Sequence, residues 1–481
     1  MKNHATVIIM ARRTRIAILG AGTAGLTALK EAQRHTDEVL LINDGPYGTT
    51  CARVGCMPSK ALLEVAHARG RRDWLEQAGL VAPDHSGVDL AAVMEHVRKL
   101  RDRFTAGAIR LAEAPGERSL RGKPRFLDAQ TVEVNGERIH AESIVIATGT
   151  RPIVPEAWRA AGERVVTSDD VFELADPGRR IGVVGLGPVG VELGQAFAQL
   201  GCEVHAFTGG QTLAALGDPV VSDSLRDALS SQMAITTGAK VTVRPVDDGV
   251  VLDDGDHPVT VDWVLASLGR RPNVEGLGLD ALGVELDDRG VPVFDPDTLR
   301  IGDLPIYIAG DVNGQRPLLH EAADDGRVAA YHALHPEAEC LARRAPLGIV
   351  FTEPGAGRAG LPYRELPESG VVTGVGDFSR QARALMGGRN AGIMHLYVRV
   401  EDGRILGAEA VAPDAEHLMH LIAWSIQQQL TVDAMLQMPF YHPTVEEGLR
   451  SALQAARRAL ERQRSQPDLP LCHAAIDWAL G

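Results

Sequence analysis

The sequence RIAILGAGTAGLTALKEAQR occupies residues 15–34. Arg15–Leu19 is a compact apolar run that fits a buried strand, and it enters Gly20-Ala21-Gly22-Thr23-Ala24-Gly25 directly. Leu26–Arg34 then has helical character, and a second strand is expected at Glu38–Ile42. In this setting the three glycines have separate tasks. The first makes a tight turn, the second admits a pyrophosphate against bare backbone, and the third lets helix and strand pack closely. The N–H groups of the helix start then carry the phosphate charge. The whole arrangement returns later in the chain. Ile181–Val184 leads into Gly185-Leu186-Gly187-Pro188-Val189-Gly190, a helix runs to Leu200, and a strand is expected at Glu203–Phe207. A lone GxGxxG is weak evidence, but the same motif twice in a strand–turn–helix–strand frame is not. The expected fold class is therefore α/β, with two Rossmann-like dinucleotide-binding domains.

The residue that meets the ribose should close the second strand of each unit. The same offset from the first glycine lands on Asn43 and on Thr208, neither of them acidic. Asp44, next to Asn43, is the candidate in the first unit. No arginine lies between Cys202 and Leu225 to hold a 2′-phosphate, which favours NAD in the second unit, with NADP the alternative.

The remaining chain sets bounds on function. At about 150 residues per domain, 481 residues suggest about three domains. A net charge of −14 and an aromatic content of 4% argue against nucleic-acid binding by phosphate contact or base stacking. No apolar run approaches the ~20 residues of a membrane span. The apolar stretch Ala5–Ala11 has no convincing cleavage site and runs into Arg12 and Arg13, so no secretory signal is expected. Residues 1–13 are expected to be a disordered extension. Five cysteines in so long a chain point to a reducing, cytoplasmic setting. Two further apolar strands end in turns, Ser143–Ala147 before Thr148-Gly149 and Ile306–Ala309 before Gly310-Asp311. Beyond residue 345, strands are expected at 347–352, 370–376, 392–400 and 404–411, then helices at 416–429 and 445–461.

Cys51 and Cys56 stand in GTTCARVGCMPSK, residues 48–60. The spacing alone fits coincidence, half of a metal site, or a redox disulfide. A metal would need two more ligands of matching kind. The other cysteines, Cys202, Cys340 and Cys472, are scattered and read as small apolar core residues, so no metal site is expected. In a regular helix, residues five apart have Cα atoms roughly 8–9 Å apart, beyond the reach of a disulfide. A bridge would therefore require a distorted segment, and Gly55 and Pro58 supply irregularity.

Taken together, these motifs resemble the pyridine nucleotide–disulfide oxidoreductase family, in the branch of dihydrolipoyl dehydrogenase and glutathione reductase. The likeness covers roughly residues 14–460. It rests on the CxxxxC-MPSK run, both fingerprints, Ala147-Thr148-Gly149, Ser267-Leu268-Gly269-Arg270-Arg271-Pro272-Asn273, Gly310-Asp311 and His442-Pro443-Thr444, in family order. The resemblance implies an FAD-binding domain at 14–152, an NAD(P)-binding domain at 153–273 and a central domain at 274–345 that completes the FAD site. An α+β dimerisation domain at 346–466 and a tail at 467–481 follow. It places FAD on Gly20, Gly22 and Gly25, with Asp44, Thr148, Gly149, Gly310, Asp311 and Lys60 contributing. It places the nicotinamide dinucleotide on Gly185, Gly187 and Gly190, with Gly269 nearby. Lys60 would lie by the flavin and pair with Glu192. Cys56 would face the flavin, and Cys51 would exchange with substrate. His442, oriented by Glu447, would be the base across a homodimer with shared sites, since a thiolate and not a thiol attacks a disulfide.

The implied activity is electron transfer from dihydrolipoyl thiols through Cys51–Cys56 and FAD to NAD, the partner being a lipoyl domain or a small dithiol. The alternative is an NADPH-dependent reductase of glutathione or a related disulfide. The chain departs from the family in places. Thr49-Thr50 replaces the usual Gly-Gly before the first cysteine, and Phe440 stands where lipoamide enzymes usually carry His. No vicinal cysteine pair of the mercuric reductase or large thioredoxin reductase kind is present, whereas soluble transhydrogenases lack the CxxxxC pair found here.

Overall fold

The computed structural model describes residues 12–80 and 87–464. Expectations for residues 1–11, for the tail 467–481 and for Cys472 lie outside the described residues. The described chain forms two compact units. One runs through Gly210 and resumes at Gln232–Arg343; the other contains Gln211–Ser231 and the chain from Arg344 onward.

In the first unit a seven-stranded sheet is built on Arg12–Leu19. This strand starts inside the expected N-terminal extension, because Arg12 and Arg13 already pair in parallel with Ile139 and His140. Val39–Asn43 flanks it on one side and Glu137–Ile146 on the other, both parallel. Ile306–Ile308 adds to the far edge of Glu137–Ile146. Both faces of the central strand are buried, which explains its unbroken apolar run. Ile16 and Ile18 face the Thr23–Ala32 and Leu319–Leu334 helices, while Ala17 and Leu19 pack with Ile42, Ile146 and Ile306.

The second fingerprint sits in its own five-stranded, all-parallel sheet, ordered Ala234–Thr237, Glu203–Thr208, Arg180–Val184, Trp263–Ala266, Val165–Val166.

The second unit is an antiparallel five-stranded sheet ordered Leu347–Val350, Gly355–Gly360, Ile405–Ala412, Ile393–Arg399, Val371–Asp377. The helices Ala415–Gln427 and Glu447–Arg464 contribute Leu418, Met419, Ile422, Leu449, Leu453 and Ala456 to its core. The strand Gly355–Gly360 had no signal in the sequence, because Gly and Ala are poor strand formers. It lies between two other strands, where Gly357 admits Met419: a Cβ there would stand 2.6 Å from Met419 Cγ. The Pro219–Ser230 helix also belongs to this unit. Asp218 caps it through the backbone N–H groups of Val220 and Val221, and the second Asp218 oxygen accepts from His395 Nδ1 at 2.6 Å and from Tyr397 Oη at 2.9 Å. Glu409, fully buried, accepts from the backbone N–H groups of Gly217, Asp218 and Tyr363.

Candidate active site

The two glycine turns are built alike. Gly20 has φ +116°, and a Cβ there would stand 2.2 Å from the Ala147 carbonyl oxygen; at Gly25 it would stand 1.8 Å from the Gly20 carbonyl oxygen. At Gly22 the added atom would meet open space. Gly185, with φ +97°, and Gly190 repeat the contacts at 2.2 and 1.9 Å, and Gly187 again faces open space. The helices behind them start at Gly22 and Gly187 without a side-chain cap. Bare backbone and an uncapped helix start make an anion cradle, so both turns fit a dinucleotide pyrophosphate.

The first turn is braced more heavily. Asn43 is buried, accepts from Ala21 N at 2.9 Å and donates to Gly45 O at 3.0 Å. Asp44 is exposed beside it. In the second unit the Thr208 hydroxyl accepts from Gly210 N at 3.3 Å.

Thr148 and Asn273 clasp each other. The Thr148 hydroxyl donates to Asn273 O at 2.8 Å, and Asn273 Nδ2 donates to Thr148 O at 3.0 Å. Gly149 and Gly269 hold positive φ at these crossings, +66° and +93°. Gly310, also at positive φ, brings its turn against the first fingerprint helix: a Cβ there would be 2.7 Å from Ala24 Cβ. The next residue, Asp311, has its carboxyl pushed above the ordinary value by burial, with Arg270 opposing. Asp325, which sequence reasoning passed over, fixes this turn. Its Oδ2 accepts from Gly310 N at 2.9 Å and Asn313 Nδ2 at 2.7 Å, and Arg343 pairs with its other oxygen. The only signal it gave was an acid in a helix, which ordinarily reads as solvated.

The cysteine segment departs from a regular helix. Thr50–Arg53 is one helical turn, the chain breaks at Val54–Gly55, and a new helix runs Cys56–Gly70. The break needs glycine: a Cβ on Gly55 would lie 3.0 Å from Thr50 O and 3.1 Å from Cys51 Cα. Thr49 keeps the positive φ (58°) that glycine would favour, and its hydroxyl caps the short helix by accepting from Ala52 N at 3.2 Å. Both cysteines are free thiols. The Cys51 S–H donates to the Cys56 sulfur, which raises the Cys51 pKa and lowers that of Cys56 to about 7; burial opposes the latter shift and the Lys60 ammonium assists it. Lys60 Nζ meets both oxygens of the buried Glu192, at 2.8 and 3.0 Å. Cys202 is buried, with its S–H toward Gly178 O, whereas Cys340 is exposed rather than in the core. Among the described residues no group of three or more His, Cys, Asp or Glu could hold a metal.

In the second unit, His442 Nδ1 lies 3.0 and 3.1 Å from the two oxygens of Glu447. This hydrogen bond holds the Glu447 carboxyl below its usual range, with desolvation opposing it and the bond from Thr444 N assisting. The carboxylate engages Nδ1 and leaves Nε2 as the ring nitrogen available for proton transfer. His442 itself is largely exposed.

Family comparison covers most of both units. Residues 14–326 match the pyridine nucleotide-disulphide oxidoreductase family, and residues 347–453 match its dimerisation domain. The chain belongs to this family. It is an enzyme of the flavin-dependent pyridine nucleotide–disulfide oxidoreductase class, whose members contain FAD and use NAD(P)H. It is 30% identical to a mercuric reductase of Staphylococcus aureus over 91% of this chain and 81% of that protein. It is 29% identical to dihydrolipoyl dehydrogenase 3 of Haloarcula marismortui over 94% of this chain and 98% of that protein. Among solved structures, LpdA from Mycobacterium tuberculosis superposes with a TM-score of 0.79 at 25% identity, covering 93% of this chain and 99% of that one. The HOCl-induced flavoprotein disulfide reductase RclA from Escherichia coli, solved as a Cu(II) complex, has the same fold, with a TM-score of 0.80 at 22% identity over 92% and 99%. No described helix is long and apolar enough to cross a membrane.

Proposed function

We propose that this enzyme is a dihydrolipoyl dehydrogenase, cytoplasmic and homodimeric, that passes electrons from dihydrolipoyl thiols to NAD. The observation that carries the reading is the Cys51–Cys56 pair: one S–H shared between two sulfurs, with Lys60 holding negative charge on Cys56. Matches to dihydrolipoyl dehydrogenases over nearly their whole length support it, and no two cysteines are adjacent in this chain.

In the oxidised enzyme a substrate thiolate attacks Cys51 in the Cys51–Cys56 disulfide. A mixed disulfide forms and Cys56 leaves as a thiolate. The second substrate thiol loses its proton to His442 Nε2 and attacks its own sulfur in the mixed disulfide. The cyclic disulfide departs, and Cys51 takes up the proton. Thiol–disulfide exchange runs through the thiolate, so a base held in place by Glu447 and a Cys56 with a lowered pKa each serve one half of it. His442 belongs to the dimerisation domain and would act across the dimer. FAD, when bound, would supply the two-electron redox chemistry that links the cysteine pair to the nicotinamide. Gly20, Gly22, Gly25, Asp44, Thr148, Gly149, Gly310 and Asp311 would hold it, and Gly185, Gly187, Gly190 and Gly269 would hold the nicotinamide dinucleotide. Lys60 pairs with Glu192 beside Cys56.

The test mixes the purified holoenzyme anaerobically with dihydrolipoamide and NAD and follows NADH absorbance. Steady NADH formation is expected, faster than NADPH formation when NADP replaces NAD. Bound FAD without NADH formation, together with NADPH-driven reduction of glutathione disulfide or Hg(II), would reject the lipoyl substrate and leave a reductase of the same class.

A further inference from the structure

Two helices carry the cysteine–lysine chemistry: Cys56–Gly70 bears Cys56 and Lys60, and Pro188–Gln199 bears Glu192. One heptad beyond Lys60 stands His67, and one heptad beyond Glu192 stands Gln199. Seven residues fall about 20° short of two full turns, so each lies close to the helix face its predecessor uses. Gln199 reaches across the interface. A Cβ on Gly70 would stand 3.1 Å from its Cδ and Nε2, and Gly70 shares a face with His67, three residues earlier.

Each of the two side chains buries a polar atom that has no hydrogen-bond partner among the described residues: Nε2 of His67 and Oε1 of Gln199. Such atoms are rare in folded proteins and call for an explanation. Here they are complementary in the tautomer that carries the ring proton on Nε2, where Nε2–H donates and an amide oxygen accepts. Burial also draws His67 below its ordinary pKa, with Glu64 opposing. The ring is therefore neutral at pH 7 and can pair without burying a charge.

We infer that His67 and Gln199 form a second polar rung between these helices, Nε2–H to Oε1 through one bridging water, and that this rung sets the helix rotation at which Lys60 meets Glu192 beside Cys56. They are positioning residues that act through Lys60. The inference rests on the role proposed above for Lys60, and its test keeps the two apart.

The readout is the pH dependence of Cys56 alkylation by iodoacetamide in the reduced holoenzyme, followed by peptide mass spectrometry. His67→Leu and Gln199→Leu are each expected to raise the midpoint and slow Cys56 alkylation at pH 7 by about two- to threefold, the loss of thiolate from a pKa rise of about half a unit. The double variant should be no slower than either single. His67→Gln, which restores an N–H donor, should recover most of the rate. If Lys60→Met slows alkylation but both leucine variants leave it unchanged, the rung is overturned and the role of Lys60 stands. Additive slowing in the double variant also overturns it. If Lys60→Met leaves the midpoint where it was, the role of Lys60 falls and the rung with it. Should His67→Leu fail to fold, Gln199→Leu carries the comparison alone.

Discussion

The two glycine turns share the same two close contacts and the same open middle position, yet they are held differently. The first is clamped by its surroundings. Asn43 ties down Ala21, the Gly310 turn presses on Ala24, and Gly326 approaches the Ala24 carbonyl so closely that a Cβ would lie 2.3 Å from it. In the second, Leu186 takes the place of Ala21 and Thr208 that of Asn43, and the threonine hydroxyl bonds only its own loop. This difference fits the division of binding proposed above. A braced turn suits a cofactor that stays, and a lightly held one suits a cosubstrate that must leave in every cycle.

The strongest way to break this comparison is to fill the third glycines. Gly25→Ala and Gly190→Ala each drive a methyl group into a carbonyl oxygen, so the helix must shift. Overpacking of this sort costs about 1–3 kcal/mol, or about tenfold and more in affinity. Gly25→Ala should yield protein with little flavin, whereas Gly190→Ala should stay yellow with its KM for NADH raised about tenfold. Equal flavin loss in both would erase the division of labour. A subtler pair is Gly22→Ala and Gly187→Ala, where no protein atom is in the way and φ is already negative. Flavin-free protein should keep or gain stability, by about 0.4–1 kcal/mol in a thermal melt, while dinucleotide affinity falls about fivefold. Unchanged affinity would show that the open space is not where the pyrophosphate lies. The smallest effect is expected from the braces. Asn43→Ala loosens the turn without touching the dinucleotide, so only part of the about 1 kcal/mol of a hydrogen bond should reach the flavin and speed its dissociation about threefold, while Thr208→Ala leaves the KM for NADH within about twofold.

What the sequence made legible follows from local constraint. The fingerprints could be read because each glycine answers a steric demand that lies within a few residues. Cys51, Cys56 and Lys60 could be read from one short segment, and His442 with Glu447 from another. The strand Gly355–Gly360 was hidden, because its residues serve close packing and carry no strand propensity. Asp325 was hidden because its partner lies fifteen residues back, at Gly310. Thr49 stands where the family usually has glycine, and its backbone does hold the conformation glycine prefers, but its hydroxyl offsets part of that strain by capping the next helix. His67 and Gln199 gave no signal at all until the two helices were placed side by side.

The helix Pro219–Ser230 has a consequence for how this chain is made. Its capping carboxylate, Asp218, meets His395 only 177 residues later. At about 5–20 residues per second, a ribosome needs about 9–35 s to deliver that partner. Over that interval the nascent chain exposes a helix with an apolar face and a capping acid whose second oxygen still lacks its final partners, while the sheet on which both will rest is still unwritten. This stretch of synthesis, more than either nucleotide turn, is where a chaperone would find something to hold.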